Sequence, residues 1–136
     1  INDIFFNIQK KLNTKNLDIE INNEIHLHGR RQALERCFSN IIQNGLVYGN
    51  KVNIYAEKSL NRVVILFQDD GPGIPPEHYR NVFKPFFRLD RSRSLNKSGV
   101  GLGLAIVEDI VNSHGGNIQL SKSPLNGLQV KISLPF

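Results

Sequence analysis

The chain has 136 residues, 40% of them hydrophobic and 21% charged, the size and balance of one globular domain with a buried core. Its longest clear apolar run, Val63-Val64-Ile65-Leu66-Phe67, falls far short of the ~20 residues of a membrane helix. The formal net charge is +5, but the basic residues are spread out, and their tightest cluster, Lys84 to Lys97, lies among Gly and Phe motifs. That argues against a nucleic-acid face.

Apolar residues at 1, 4, 5, 8 and 12 predict a helix over Ile1 to Leu12, broken by Asn13 to Asn16. Leu17-Asp18-Ile19-Glu20-Ile21 alternates and predicts a strand, and Ile25 to His28 a short second one. Helical spacing returns from about Arg30 to Tyr48, with Leu34, Phe38, Ile41, Ile42 and Gly45 on one stripe and Gly49-Asn50 at the end. The only cysteine, Cys37, lies in this helix. It forms no internal disulfide, suits a reducing compartment and reads as a small buried apolar residue.

Val52 to Ala56 and Arg62 to Gln68 predict strands joined by a turn at Ser59-Leu60-Asn61. The second is apolar on both faces and is expected to be covered on both sides. Asp69 to Pro76 is turn chemistry, Glu77 to Val82 a short helix, and Lys84 to Gly99 a long mobile loop. Gly101 to His114 predicts a helix with Leu102, Ile106 and Ile110 in line, stopped by Gly115-Gly116. Asn117 to Ser121 and Leu128 to Leu134 predict a closing hairpin around Pro124 and Gly127, with no internal repeat and no second domain. Starting at Ile1 and lacking Met, the chain reads as a piece of a longer polypeptide.

Certain segments carry chemistry. Asn40 and Asn44 stand four apart in Ser39-Asn40-Ile41-Ile42-Gln43-Asn44-Gly45, on one flank of the helix about 100° from the centre of the apolar stripe. Their amide oxygens can therefore point at something that is neither core nor open solvent. A neutral oxygen suits Mg²⁺ where an Asp would repel a triphosphate, and two solvated asparagines are the plainer alternative.

In Asp69-Asp70-Gly71-Pro72-Gly73-Ile74, alternation puts Asp69 on the apolar face of Val63, Ile65 and Phe67. A carboxylate there needs a partner. The exocyclic amine of adenine would be one, with Gly71 and Gly73 admitting a flat ring; an ordinary turn with solvated carboxylates is the alternative.

Gly99-Val100-Gly101-Leu102-Gly103-Leu104-Ala105 runs into a helix, whose first amides and dipole attract phosphate. It is neither the dinucleotide fingerprint nor a P-loop. Val82-Phe83-Lys84-Pro85-Phe86-Phe87-Arg88, then Asp90, Arg91, Arg93 and Lys97, offers phenylalanines to anchor a lid and cations to meet a triphosphate, or else a solvated loop.

In this order the segments resemble the N box, first glycine box, F box and second glycine box of histidine kinases. These belong to the superfamily that includes gyrase, the heat-shock chaperone ATPases and the mismatch-repair ATPases. The likeness covers roughly Arg30 to Phe136, and Gln68 to Pro75 with Asn44 to Gly49 is most similar to osmosensor-type kinases of proteobacteria. The resemblance implies an α/β (α+β) two-layer sandwich: a mixed, mostly antiparallel sheet, helices on one face, and a flexible ATP lid at about 84–99.

It further implies one ATP-binding catalytic domain over 1–136, which binds Mg-ATP and donates the γ-phosphate to a histidine on a separate dimerisation domain of a two-component system. The positions that match the family's Mg²⁺ ligands are Asn40 and Asn44. Those matching its ATP site are these two with Tyr48, Asp69, Gly71, Gly73, Ile74, Phe87, Arg88, Gly99, Val100, Gly101, Leu102, Gly103 and Leu104. Arg88, Arg93 and Lys97 are candidates for stabilising phosphate.

ATPases of the superfamily resemble one another in a Glu four residues before the metal-binding Asn. This chain has Asn40 there, an amide that accepts no proton at neutral pH, so slow hydrolysis is expected. His26, His28, His78 and His114 lack the helical His-Glu context of a phosphoacceptor and read as structural, which places the acceptor on a helical domain upstream.

The resemblance also implies a response regulator downstream, a monomeric isolated domain and a homodimeric parent. This part is then cytoplasmic, with the parent anchored in the inner membrane. Gly45 stands where Ala is usual, Val47 where Lys or Arg is frequent, and Val100 where Thr or Ser is common. These departures keep two alternatives open: a non-catalytic ATP-binding regulatory module, and a protein-serine kinase or slow ATPase of the same superfamily.

Overall fold

Val63, Ile65 and Phe67 all point to one side of a central strand, and the rest of the chain is arranged to cover that side. The computed structural model describes residues 2–12, 16–21, 25–27, 29–59, 61–84 and 103–135. In chain order these form α1 (Asn2–Leu12), β1 (Leu17–Ile21), α2 (Arg31–Tyr48), β2 (Val52–Lys58), β3 (Arg62–Asp69), α3 (Gly103–Ser113), β4 (Asn117–Lys122) and β5 (Leu128–Pro135). The strands make one sheet in the order β1-β2-β3-β5-β4. Only β1–β2 is parallel; β2–β3, β3–β5 and β4–β5 are antiparallel.

The helices lie on one face of this sheet, so the expected two-layer architecture is the one found. α2 lays Leu34, Cys37, Phe38, Ile41, Ile42 and Gly45 against the sheet, the predicted stripe with Cys37 added. Burial pushes the Cys37 thiol up to about 12, which makes it an inert core residue. Phe5 of α1, Phe38 of α2 and Phe67 of β3 meet with ring centroids 5.0 to 6.0 Å apart, joining three elements at one point. Surface pairs Lys11–Glu35 and Arg31–Asp3, each 2.9 Å, link α1 to α2 but add little, because water screens them.

The structure corrects the sequence reading in places. Ile25 to Leu27 form no strand, and Ile25 instead plugs the core at 1% exposure; His28 lies outside the described residues. β3 is covered on one side only: Val64 and Leu66 are half-buried and share the outer face with Tyr55, Ser133 and Lys131 of neighbouring strands. Cross-strand neighbours shade them there without a second layer. Glu77 to Val82 is no α-helix but two 3₁₀ turns, Pro76–His78 and Asn81–Phe83. The buried stripe of α3 is Leu104, Val107 and Val111, while the predicted Ile106 and Ile110 are only half-buried and Leu102 lies outside the described residues. The predicted loop lies outside the described residues beyond Lys84.

Candidate functional site

α2 and α3 run in opposite senses over the sheet, and where α2 ends and α3 begins they leave a cavity above β3. Its lining is Ile41, Asn44 and Gly45 from α2, Val52 from β2, Phe67 and Asp69 from β3, Leu104 from α3, and Leu128 and Val130 from β5. The volume is about 10 Å³, the room of a single water. Asp69 and Asn44 are the polar members of an otherwise apolar lining.

Asp69 continues the apolar face of β3, as alternation requires, and its carboxylate is not left bare. Oδ1 accepts hydrogen bonds from the backbone N–H of Gly71 and of Leu128, both 3.0 Å. Oδ2 turns toward Gly45 and remains the acceptor on the cavity side. Burial raises the Asp69 carboxyl above the ordinary aspartate range, the two amides oppose that rise, and the negative Asp70 adds to it.

Asp70 points the other way and does different work. Its Oδ1 accepts from the N–H of Asn50 at 2.6 Å and of Lys51 at 3.0 Å, fastening the turn between α2 and β2. These amides, that of Lys51 first, hold its carboxyl below the usual range. Adjacent carboxylates therefore divide the labour, one closing a turn and the other facing the cavity.

Beside Asp69, Gly127 and Gly45 have no space for a side chain. A Cβ on Gly127 would overlap Asp69 Oδ1 and the Asp69 carbonyl, and would lie 2.7 Å from Gly71 N. A Cβ on Gly45 would lie 2.7 Å from Val52 Cγ2 and 3.3 Å from Asp69 Cβ. Glycine at position 45 thus has a local cause: β2 and Asp69 occupy the place of a methyl.

Of the predicted site residues, the structure brings Asn44, Asp69 and Leu104 together at the cavity. Asn40 is half-buried on the same flank of α2 but outside the lining. Gly71 sits against the end of α2, where a Cβ would lie 3.0 Å from the Tyr48 carbonyl, so its missing side chain makes room for that turn. Gly73 has a φ of +76°, a conformation that disfavours any other residue. Ile74 packs at the edge of the core, Tyr48 is 47% exposed, and Gly103 is the exposed first residue of α3. Phe87, Arg88, Arg93, Lys97, Gly99, Val100, Gly101 and Leu102 lie outside the described residues.

Sequence reasoning missed Gly127 and Leu128, reading them only as hairpin and closing strand. A signal was present: a glycine immediately precedes the strand that pairs with the one carrying Asp69. Ile41, Val52, Phe67 and Val130 were legible as core but not as lining, since the cavity is an indentation of the core itself.

Residues 29–136 match the sequence family described as histidine kinase-, DNA gyrase B-, and HSP90-like ATPase. Over 111 residues the chain is 40% identical to the sensor histidine kinase CpxA of Escherichia coli (strain K12), an alignment covering 81% of this chain and 24% of that protein. The chain thus spans about a quarter of the length of such a curated relative. Its fold is similar to the NMR structure of the histidine kinase domain of the E. coli osmosensor EnvZ, with TM-score 0.74, 31% identity, and coverage of 99% of this chain and 85% of that one. The mycobacterial sensor histidine kinase MprB matches in fold with TM-score 0.83 at 24% identity, covering 98% of this chain and 93% of the other.

Proposed function

This chain belongs to the histidine kinase-, DNA gyrase B-, and HSP90-like ATPase family, and we propose that it holds Mg-ATP at the α2–β3 cavity and presents the γ-phosphate to a histidine on a separate helical domain. The observation that carries this reading is the Asp69 carboxylate, locked through Oδ1 by two amides and open through Oδ2 on an apolar wall. Such a group accepts a hydrogen bond from an exocyclic amine and repels a carbonyl oxygen, so it favours adenine over guanine. The water-sized cavity is the floor of the site, onto which the edge of a purine settles.

Asn44 at the cavity and Asn40 one turn earlier would hold Mg²⁺ through neutral amide oxygens. Among the described residues no cluster of His, Cys, Asp or Glu offers an alternative metal site. Gly103 opens α3, and the first backbone N–H groups and dipole of a helix favour phosphate at that end. Bound Mg-ATP supplies the phosphoryl group and the charge neutralisation that its transfer requires. Asn40 accepts no proton at neutral pH, so it activates no water, which favours donation over hydrolysis. In this reading the partners are the dimeric phosphoacceptor domain and then a response regulator, with the domain on the cytoplasmic side of an anchored parent.

Calorimetry with Mg-ATP, followed by labelled ATP and the cognate helical domain, tests the proposal. Saturable binding and acid-labile label on histidine are expected. Binding without transfer would leave a regulatory module, free phosphate or acid-stable phosphoserine would move the chain to another branch of the superfamily, and no binding would overturn the reading.

A further inference from the structure

We propose that His114 is a positioning residue for the nucleotide site: its imidazole clamps the start of α2 to the end of α3 and thereby sets how the two helices frame the cavity. The inference rests on the reading of that cavity as a nucleotide site. His114 Nδ1 lies 2.7 Å from the Ile110 carbonyl oxygen. A carbonyl only accepts, so Nδ1 carries the proton and Nε2 keeps a lone pair. That lone pair accepts the backbone N–H of Arg30 at 3.1 Å.

Arg30 is the N-cap residue of α2, and its own side chain makes no capping bond. Its backbone N–H finds an acceptor on a residue 84 positions on. A second strap runs beside the first: Arg30 Nη2 donates to Ser113 Oγ at 2.6 Å, and that hydroxyl donates to the Ile110 carbonyl at 2.8 Å. Gly29 lies against the ring, where a Cβ would stand 2.7 Å from His114 Cδ2. The last turn of α3 is therefore shaped to receive residues 29 and 30.

The clamp lies at one end of an antiparallel helix pair and the cavity at the other. From His114 to Leu104 is ten residues of helix, about 15 Å at the usual rise. A change of helix angle at the clamp is expressed as a displacement of Leu104 against Asn44, where shifts on the order of 1 Å disturb binding geometry.

Long-range ¹H–¹⁵N spectra of the wild-type chain should show Nδ1 of His114 as the donor nitrogen and Nε2 as the acceptor; a proton on Nε2 with Nδ1 bare would overturn the clamp. His114→Leu should move the Leu104 methyl and Asn44 side-chain amide signals and weaken Mg-ATP binding roughly tenfold, the upper scale of one lost hydrogen bond. His114→Gln, whose Oε1 can accept the same N–H, should recover affinity to within about threefold. A folded His114→Leu protein with both signals unmoved would sink the proposal. Should that variant not fold, Ser113→Ala, which removes the second strap and the Ser113 Oγ contact 3.3 Å from His114 Nδ1 but leaves the Arg30–His114 bond, must show the same shifts in smaller degree. If the wild-type chain takes up no Mg-ATP, the nucleotide reading fails, while the tautomer and the Leu104 shift still decide the clamp.

Discussion

Gly127 and Asp69 are packed so closely that no side chain fits between them: a Cβ on Gly127 would overlap the oxygen that Leu128 and Gly71 hold. Position 127 is therefore as much a part of the candidate site as the carboxylate itself. Gly127→Ala is expected to cost about 1–3 kcal/mol of stability, the usual penalty of overpacking. It should also abolish measurable Mg-ATP binding in the protein that remains folded. Thermal melts with calorimetry on the same samples check both; wild-type affinity in a folded variant would refute the contact.

Asp69→Asn keeps the size of the side chain and lets its amide oxygen accept both backbone N–H groups. It then turns an NH₂ toward the cavity, donor against donor for an adenine amine. Mg-ATP affinity should fall by at least about tenfold with the fold intact, as expected when a charged acceptor is replaced by a mismatched donor. An unchanged dissociation constant would remove Asp69 from base recognition.

Gly45→Ala pits local against tertiary effects. Alanine gains about 1 kcal/mol of helix propensity over glycine. The added methyl meets Val52 Cγ2, on a β-branched side chain that cannot swing away. The single variant should be destabilised, and Val52→Ala in the same background should recover most of the loss. Urea unfolding in a double-mutant cycle reads the coupling; additive effects would deny the contact.

The two adjacent aspartates should leave opposite marks on stability against pH. The Asp70 carboxyl is held below the ordinary 3.8, so its contribution is present above that pH and lost as pH falls through the lower folded value. The Asp69 carboxyl is raised above 3.8, so the folded chain binds its proton first. Between 3.8 and that raised value the Asp69 contribution improves as pH falls. Urea midpoints should therefore drop more steeply on acidification in Asp69→Asn than in the wild type, and less steeply in Asp70→Asn. Parallel curves for all three proteins would contradict these environments.

Much of this was legible in the chain because period and burial agreed. The stripe of α2 and the alternation of β3 appear where spacing put them, and Asp69 faces the core side because residues two apart must. What was not legible depends on distant segments. Ile25 has the composition of a strand residue, but it joins none of the five strands and is buried as a core plug. The two amides on Asp69 and the imidazole on Arg30 join residues 59 and 84 positions apart in some of their contacts, a distance at which no local pattern operates. Gly45 looked like a weakness in a helix until β2 was laid beside it.

β3 is bonded along both edges, to β2 and to β5, and Asp69 is its last residue. Backbone amides in such a strand exchange with solvent only when the whole domain opens. The carboxylate proposed to read the base thus stands at the end of the strand that gives way last. On the proposed reading, local fraying elsewhere alters how a triphosphate is held while the choice of purine stays fixed.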